Sequence, residues 1–83
     1  MEQLKFTNGN MNIEVIALIG KNAFLKRLND SSFIVVNGLN IKENNNCDWD
    51  FAYGYFERYD DAYECFNNKV IKEFQKYKET AEV

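Results

Sequence analysis

The residues best suited to chemistry are concentrated in one stretch, CDWDFAYGYFERYDD, residues 47–61. It holds six aromatic side chains and five acids but a single base, Arg58. Carboxylate oxygens are the ligands that Mg²⁺ and Ca²⁺ prefer, and an acidic surface attracts basic partners. The stretch therefore indicates either a metal site or a surface for a positively charged partner.

A metal-dependent enzyme would use Asp48 and Asp50, which lie about 7 Å apart on one face of a strand. A solvated strand edge accounts for these two acids more simply. The sequence contains no histidine to act as a base near neutral pH, so neither Cys47 nor Cys65 has a histidine to activate it. We therefore predict no catalytic activity, no bound metal and no cofactor. A small metal-dependent enzyme is kept as the third-ranked interpretation.

Charge is distributed unevenly along the chain. Residues 1–47 carry five bases and four acids, residues 48–64 carry six acids and one base, and residues 65–83 carry four bases and three acids. The whole chain has a formal net charge of −3. Because the middle segment would repel a phosphate backbone, we expect no direct binding of nucleic acid.

The length of 83 residues predicts a single globular domain, residues 1–83. A hydrophobic content of 46%, with 16% aromatic residues, is enough for a core without disulfides or metals. The longest apolar run, VIALI at 15–19, is far shorter than the roughly 20 residues of a membrane span. We expect a protein of the bacterial cytoplasm with reduced cysteines and no membrane partner.

The first elements are predicted from turn residues. Strands at 3–7 and 11–19 are joined by Asn8-Gly9, and Asn-Gly is the strongest short signal for a hairpin. A helix over 11–28 competes with the second strand, but Gly20 would lie in the middle of that helix. We prefer the strand, with Gly20 as the break after it.

Four further elements follow. Residues 22–30 are predicted to form a short helix with Asn22 as its N-cap, and residues 32–39 a buried strand. The asparagine-rich segment 40–46 is predicted to be a mobile polar loop. It would be the tip of a hairpin that joins strand 32–39 to a strand at 48–56.

The strand at 48–56 alternates with period two. Its first face would carry Trp49, Phe51, Tyr53 and Tyr55. Its second face would carry Asp48, Asp50, Ala52, Gly54 and Phe56.

A final helix is predicted to begin at Asp60 or Asp61. Asp61 and Glu64 have the spacing of a capping box. An apolar stripe then follows at helical spacing: Ala62, Phe66, Val70, Phe74 and Tyr77. The predicted fold class is α+β, a four-stranded antiparallel sheet with two helices packed on one face, in the order ββαββα.

The aromatic residues of 48–59 exceed what a thin core requires. Tyrosine suits surfaces that meet a partner, because it has an apolar body and a polar tip. We therefore predict a partner-binding surface formed by Asp48, Asp50, Tyr53, Tyr55, Glu57, Tyr59, Asp60, Asp61 and Glu64.

In size, acidity and α+β plan, and in the segment DWDFAYGYFERYDDAYECF, the chain resembles the small phage-encoded inhibitors of host defence, including anti-CRISPR proteins. The resemblance implies a non-enzymatic inhibitor or regulator, encoded by a phage or mobile element. Its partner would be a larger, basic, nucleic-acid-handling host protein such as a CRISPR effector. The first alternative is a self-associating structural or regulatory domain that uses the same aromatics in a homodimer.

Overall fold

A computed structural model describes residues 5–81, with the side chains of residues 5–76. Within that range the longest element is a helix near the C-terminal end, α1 (Tyr59–Ala81), and one 3₁₀ turn lies at Glu43–Asn45. The strands are β1 (Lys5–Asn8), β2 (Met11–Ile19), β3 (Asn22–Arg27), β4 (Ser32–Asn37), β5 (Asn40–Ile41), β6 (Cys47–Asp48) and β7 (Phe51–Phe56).

Five strands form one antiparallel sheet in the order β1-β2-β3-β4-β7. The first two are joined by the two-residue turn Gly9-Asn10, with Gly9 at φ +60°, so the hairpin is confirmed but its turn begins one residue after the predicted Asn8-Gly9. Gly20 also has a positive φ, +61°, and reverses the chain between β2 and β3. Glycine adopts this conformation without the steric penalty that a Cβ brings. The strand predicted at 11–19 is confirmed with the same bounds.

The helix covers one face of this sheet. Ala62, Phe66 and Val70 are buried against Phe24 of β3 and Val35 of β4. The rings of Phe24 and Phe66 lie 5.7 Å apart. Side chains four residues apart lie one above the other on a helix, so this spacing supplies a continuous apolar stripe.

The opposite face is closed by the segment between β4 and β7. Leu39 and Trp49 of this segment pack against a buried cluster on that face of the sheet. The cluster consists of Ile13, Ala23, Leu25, Ile34 and Val36. The small β5–β6 pair lies in this segment and contacts β1, where the Thr7 hydroxyl bonds the Asn46 side-chain oxygen at 2.8 Å. Strands β4 and β7 pair as the predicted hairpin, but segment 40–46 is a paired and anchored element, so its prediction as a mobile polar loop is wrong.

The predicted four strands and two helices are wrong, although the structure is α+β with an antiparallel main sheet. The helix predicted at 22–30 is strand β3, and Asn22 is its first residue, not an N-cap. Phe24 packs on the helix side, whereas Ala23 and Leu25 pack on the other side. A central strand buries both faces, which explains why its run of apolar residues lacks visible alternation.

The predicted strand at 48–56 is divided. Cys47–Asp48 pairs with β5, and β7 begins only at Phe51. The pairing of β7 with β4 also shifts its register between Val35 and Val36. Such a bulge places an extra residue on one strand and breaks the alternation of faces, so the predicted two faces of this strand are wrong.

The last helix agrees with the prediction more closely. It begins at Tyr59, with Asp60 and Asp61 in its first turn, where acids favour the positive end of the helix dipole. The predicted stripe is buried as far as Val70, but Phe74 is 58% exposed. Glu73 turns toward the sheet in its place. The side chain of Tyr77 lies outside the described residues.

Candidate functional site

Two tyrosines at the start of α1 form a stacked pair. The rings of Tyr59 and Tyr63 lie 6.2 Å apart at an interplanar angle of 7°. The pair is firmly placed, because the Tyr59 ring also contacts Phe24 at 5.2 Å and Phe33 at 5.6 Å. Tyr59 nevertheless remains 48% exposed and Tyr63 50%. Each therefore offers an apolar face to a partner from a rigid position.

Four exposed acids and one exposed base, Arg58, lie within two residues of this pair along the chain; the acids are Glu57, Asp60, Asp61 and Glu64. Among residues 5–76 the ion pairs are Arg27–Asp30 and Lys42–Asp48, so within that range none of the four acids is in an ion pair. We call Glu57, Tyr59, Asp60, Asp61, Tyr63 and Glu64 the acidic tyrosine surface. Tyr63 was missed by the sequence prediction, although its spacing of four residues from Tyr59 was a usable signal.

The structure does not bring Asp48 and Asp50 to this surface. They precede β7, whereas Glu57 follows it, and the six residues of β7 span about 20 Å. Asp48 forms an ion pair with Lys42 at 2.6 Å. The backbone N–H of Asp50 donates to the carbonyl of Asn37 at 3.0 Å. The predicted partner-binding residues are therefore split between the two ends of β7.

Tyr53 and Tyr55 are separated by the bulge in β7. Tyr53 packs with the cluster beneath the helix. Tyr55 is the register partner of Ile34 and lies on the opposite face, 61% exposed. Paired residues on neighbouring strands project to the same side of a sheet. The two tyrosines therefore cannot contribute to one flat contact surface.

A second site, which the sequence prediction did not find, is a groove of about 560 Å³ beside the C-terminal half of α1. We call it the lysine groove. It is lined by Lys21, Asn22, Asn37, Tyr53, Lys69, Lys72, Glu73 and Lys76. The spacing of Lys69, Lys72 and Lys76 on one side of a helix was a signal for it. No signal in the sequence indicated that Lys21, some fifty residues away, lies beside these lysines in the groove.

The floor of the lysine groove is a chain of hydrogen bonds. Asn37 donates its amide to the Tyr53 hydroxyl at 2.9 Å, and that hydroxyl donates to Asn22 Oδ1 at 2.9 Å. Asn22, 2% exposed, donates Nδ2 to Glu73 Oε2 at 2.7 Å. The Lys21 backbone N–H also points to the Glu73 carboxylate, at 3.3 Å. Both ends of the buried Asn22 amide are thus hydrogen-bonded, which fixes the floor in place.

The two cysteines are free thiols, Cys47 buried and Cys65 partly buried. Burial raises the pKa of each thiol, and the nearby carboxylate of Asp48 raises that of Cys47 further. Neither is placed as an activated nucleophile, since activation requires a lowered thiol pKa. Within residues 5–76 no three acids or cysteines cluster as metal ligands.

Compared with known proteins, the chain matches no family model, no curated protein and no solved structure. In the part of the chain that the structure describes, no helix is long and apolar enough to cross a membrane.

Proposed function

We propose that this chain is a non-enzymatic inhibitor or regulator, encoded by a phage or mobile element, that binds a basic nucleic-acid-handling host protein such as a CRISPR effector. The contact would be the acidic tyrosine surface. The observation that carries the proposal is the half-exposed stack of Tyr59 and Tyr63, with four exposed acids within two residues of it along the chain, none of them in an ion pair among residues 5–76.

The two residue types have different tasks in such a contact. Tyrosines supply buried area and are enriched among the residues that dominate binding energy. Carboxylates attract a basic surface, speed the encounter and disfavour acidic competitors. On a partner that normally holds nucleic acid, they would occupy positions of phosphates.

Rigidity supports this assignment. Tyr59 is held against Phe24 and Phe33, and its stacking holds Tyr63 in turn. A side chain that is already ordered loses little conformational entropy on binding, which favours affinity. An exposed tyrosine without internal contacts would lack this advantage.

The test compares two charge-reversed variants with equal net charge. A purified effector, identified by capture from a bacterial lysate, is titrated with the parent, with Glu57→Lys/Glu64→Lys and with Glu43→Lys/Asp50→Lys. The first pair lies on the acidic tyrosine surface and avoids the first turn of α1. The second pair lies beyond the other end of β7 and also tests the predicted role of Asp50.

We expect the first variant to lose at least tenfold in affinity, mainly through a slower association rate, and the second to lose less than threefold. Association of the parent should slow as the Debye length falls from about 30 Å at 0.01 M salt to about 10 Å at 0.1 M. Equal effects of the two variants, or a larger effect of the second, contradict the assignment of this surface. Circular dichroism confirms that each variant is folded.

A second candidate function, self-association, is favoured by exposed apolar residues elsewhere on the helix side of the sheet. Ile71 and Phe74 on α1 are 44% and 58% exposed, and Ile19 on β2 is 39% exposed. Ile19 is the register partner of Asn22, which bonds Glu73, so it lies beside the same turn of the helix.

Light scattering over a range of concentrations distinguishes this candidate. A dimer mass that returns to the monomer mass in Ile71→Ser/Phe74→Ser supports self-association through the helix. A monomer mass at every concentration excludes it.

A further inference from the structure

We propose that the lysine groove binds a compact anion that carries two or more phosphate groups, such as pyrophosphate or the phosphates of a nucleotide. The inference is independent of the proposed function, because the groove lies beside the opposite end of α1 from the acidic tyrosine surface. It rests on the charge of the groove, its fixed floor and its size.

The groove concentrates positive charge in a chain whose net charge is negative. Among the lining residues that the structure describes, four are lysines and one, Glu73, is an acid. Lysine is a compact point charge with three donors and binds phosphate without the planar geometry that arginine requires. The groove is therefore a region of positive electrostatic potential, which attracts anions, on a protein whose net charge is negative.

The Glu73 carboxylate offsets one of the lysine charges, but its position is fixed by hydrogen bonds. Glu73 accepts hydrogen bonds from the Asn22 amide at 2.7 Å and from the Lys21 backbone N–H at 3.3 Å. These donors hold the carboxylate against the sheet. The Lys69 ammonium lies 4.8 Å from the centre of the Tyr53 ring, which fixes a positive charge above the hydrogen-bonded floor.

The size of the groove favours a small ligand. Its volume of about 560 Å³ lies within the range of about 300–1,000 Å³ that small-molecule sites occupy. A long phosphate backbone would extend past the groove toward Asp50, which lies next to Asn37, and toward other acids of a chain with a net charge of −3. The same charge distribution therefore disfavours an extended nucleic acid.

Isothermal titration calorimetry of the full chain with pyrophosphate tests the proposal at about 0.05 M salt, where surface charges are weakly screened. The groove variants are Lys21→Gln and Lys72→Gln. The matched control is Lys5→Gln, which removes the same charge from the far edge of the sheet. Inorganic phosphate and a single-stranded oligonucleotide serve as comparison ligands.

We expect one pyrophosphate to bind per chain, at least about tenfold more tightly than inorganic phosphate. Each groove variant should weaken binding about fivefold or more, through loss of a charge-assisted contact, and Lys5→Gln less than twofold. The proposal is overturned if pyrophosphate shows no saturable binding up to about 1 mM, or if Lys5→Gln matches the groove variants. If the oligonucleotide binds more tightly than pyrophosphate, the assignment of a compact ligand is overturned.

Discussion

Glu73 of α1 and Asn22 of β3 are joined by a hydrogen bond of 2.7 Å, formed where the helix crosses the end of the main sheet. Asn22 is almost fully buried, and its oxygen accepts from the Tyr53 hydroxyl. One amide thus links the helix, the centre of the sheet and its edge strand β7. The packing of α1 therefore depends on a polar contact as well as on its apolar stripe.

Replacing Asn22 with alanine should lower the free energy of unfolding by about 1–3 kcal/mol, because it leaves the Tyr53 hydroxyl and the Glu73 carboxylate short of a partner. Urea unfolding followed by circular dichroism measures the change. The control is Asn67→Ala, at an exposed position of α1, which should change the free energy of unfolding by about 0.5 kcal/mol or less. Equal effects of the two changes contradict a stabilising role for the buried amide.

Two phenylalanines of α1 should differ sharply in their contribution to stability. Phe66 is 4% exposed and packs on Phe24, whereas Phe74 is 58% exposed. We expect Phe66→Ala to cost about 3–5 kcal/mol, as truncation of a buried phenylalanine does, and Phe74→Ala about 0.5 kcal/mol or less. Thermal and urea unfolding of the two variants provide the comparison. A large loss with Phe74→Ala at a protein concentration where the chain is monomeric would contradict its exposure.

The turn glycines offer a second matched pair. Gly9 and Gly20 have nearly equal positive φ, and alanine at either should cost about 1–2 kcal/mol for that conformation. A Cβ at Gly9 meets nothing within 4 Å, but at Gly20 it would lie 2.5 Å from Glu73 Oε2. Gly20→Ala must therefore displace the carboxylate from its donors and should cost about 1–2 kcal/mol more than Gly9→Ala. Equal midpoints of urea unfolding for the two variants would show that Glu73 moves freely.

Asp30 should make stability depend on acid pH. Hydrogen bonds from the Ser32 hydroxyl at 2.6 Å and from its backbone N–H at 3.1 Å lower the pKa of this carboxyl below 3.8. A carboxyl whose pKa is lower in the folded state stabilises the fold above its unfolded pKa, and the contribution disappears as pH falls through the folded value. The melting-temperature difference between the parent and Asp30→Asn should therefore be constant at neutral pH and change progressively as the pH falls toward and below 3.8. A difference that is the same at every pH contradicts the lowered pKa.

The sequence by itself determined the elements that short-range signals specify. Gly9 turns the chain in the first hairpin because glycine tolerates positive φ, and Gly20 ended a β-branched run that forms β2. The apolar spacing of Ala62, Phe66 and Val70 determined the helix and the side that it buries. Each of these signals acts within a few residues.

Only the tertiary structure decided the elements that depend on distant partners. Residues 22–27 contain good helix formers, but their apolar side chains are buried on both faces of the sheet, and burial outweighs local propensity. The bulge opposite Val35 and Val36 sends Tyr53 beneath the helix and Tyr55 to the other face, a choice set by pairing with β4. The lysine groove exists only because the chain brings Lys21 next to α1, since a groove is a property of surfaces that meet and not of either segment alone.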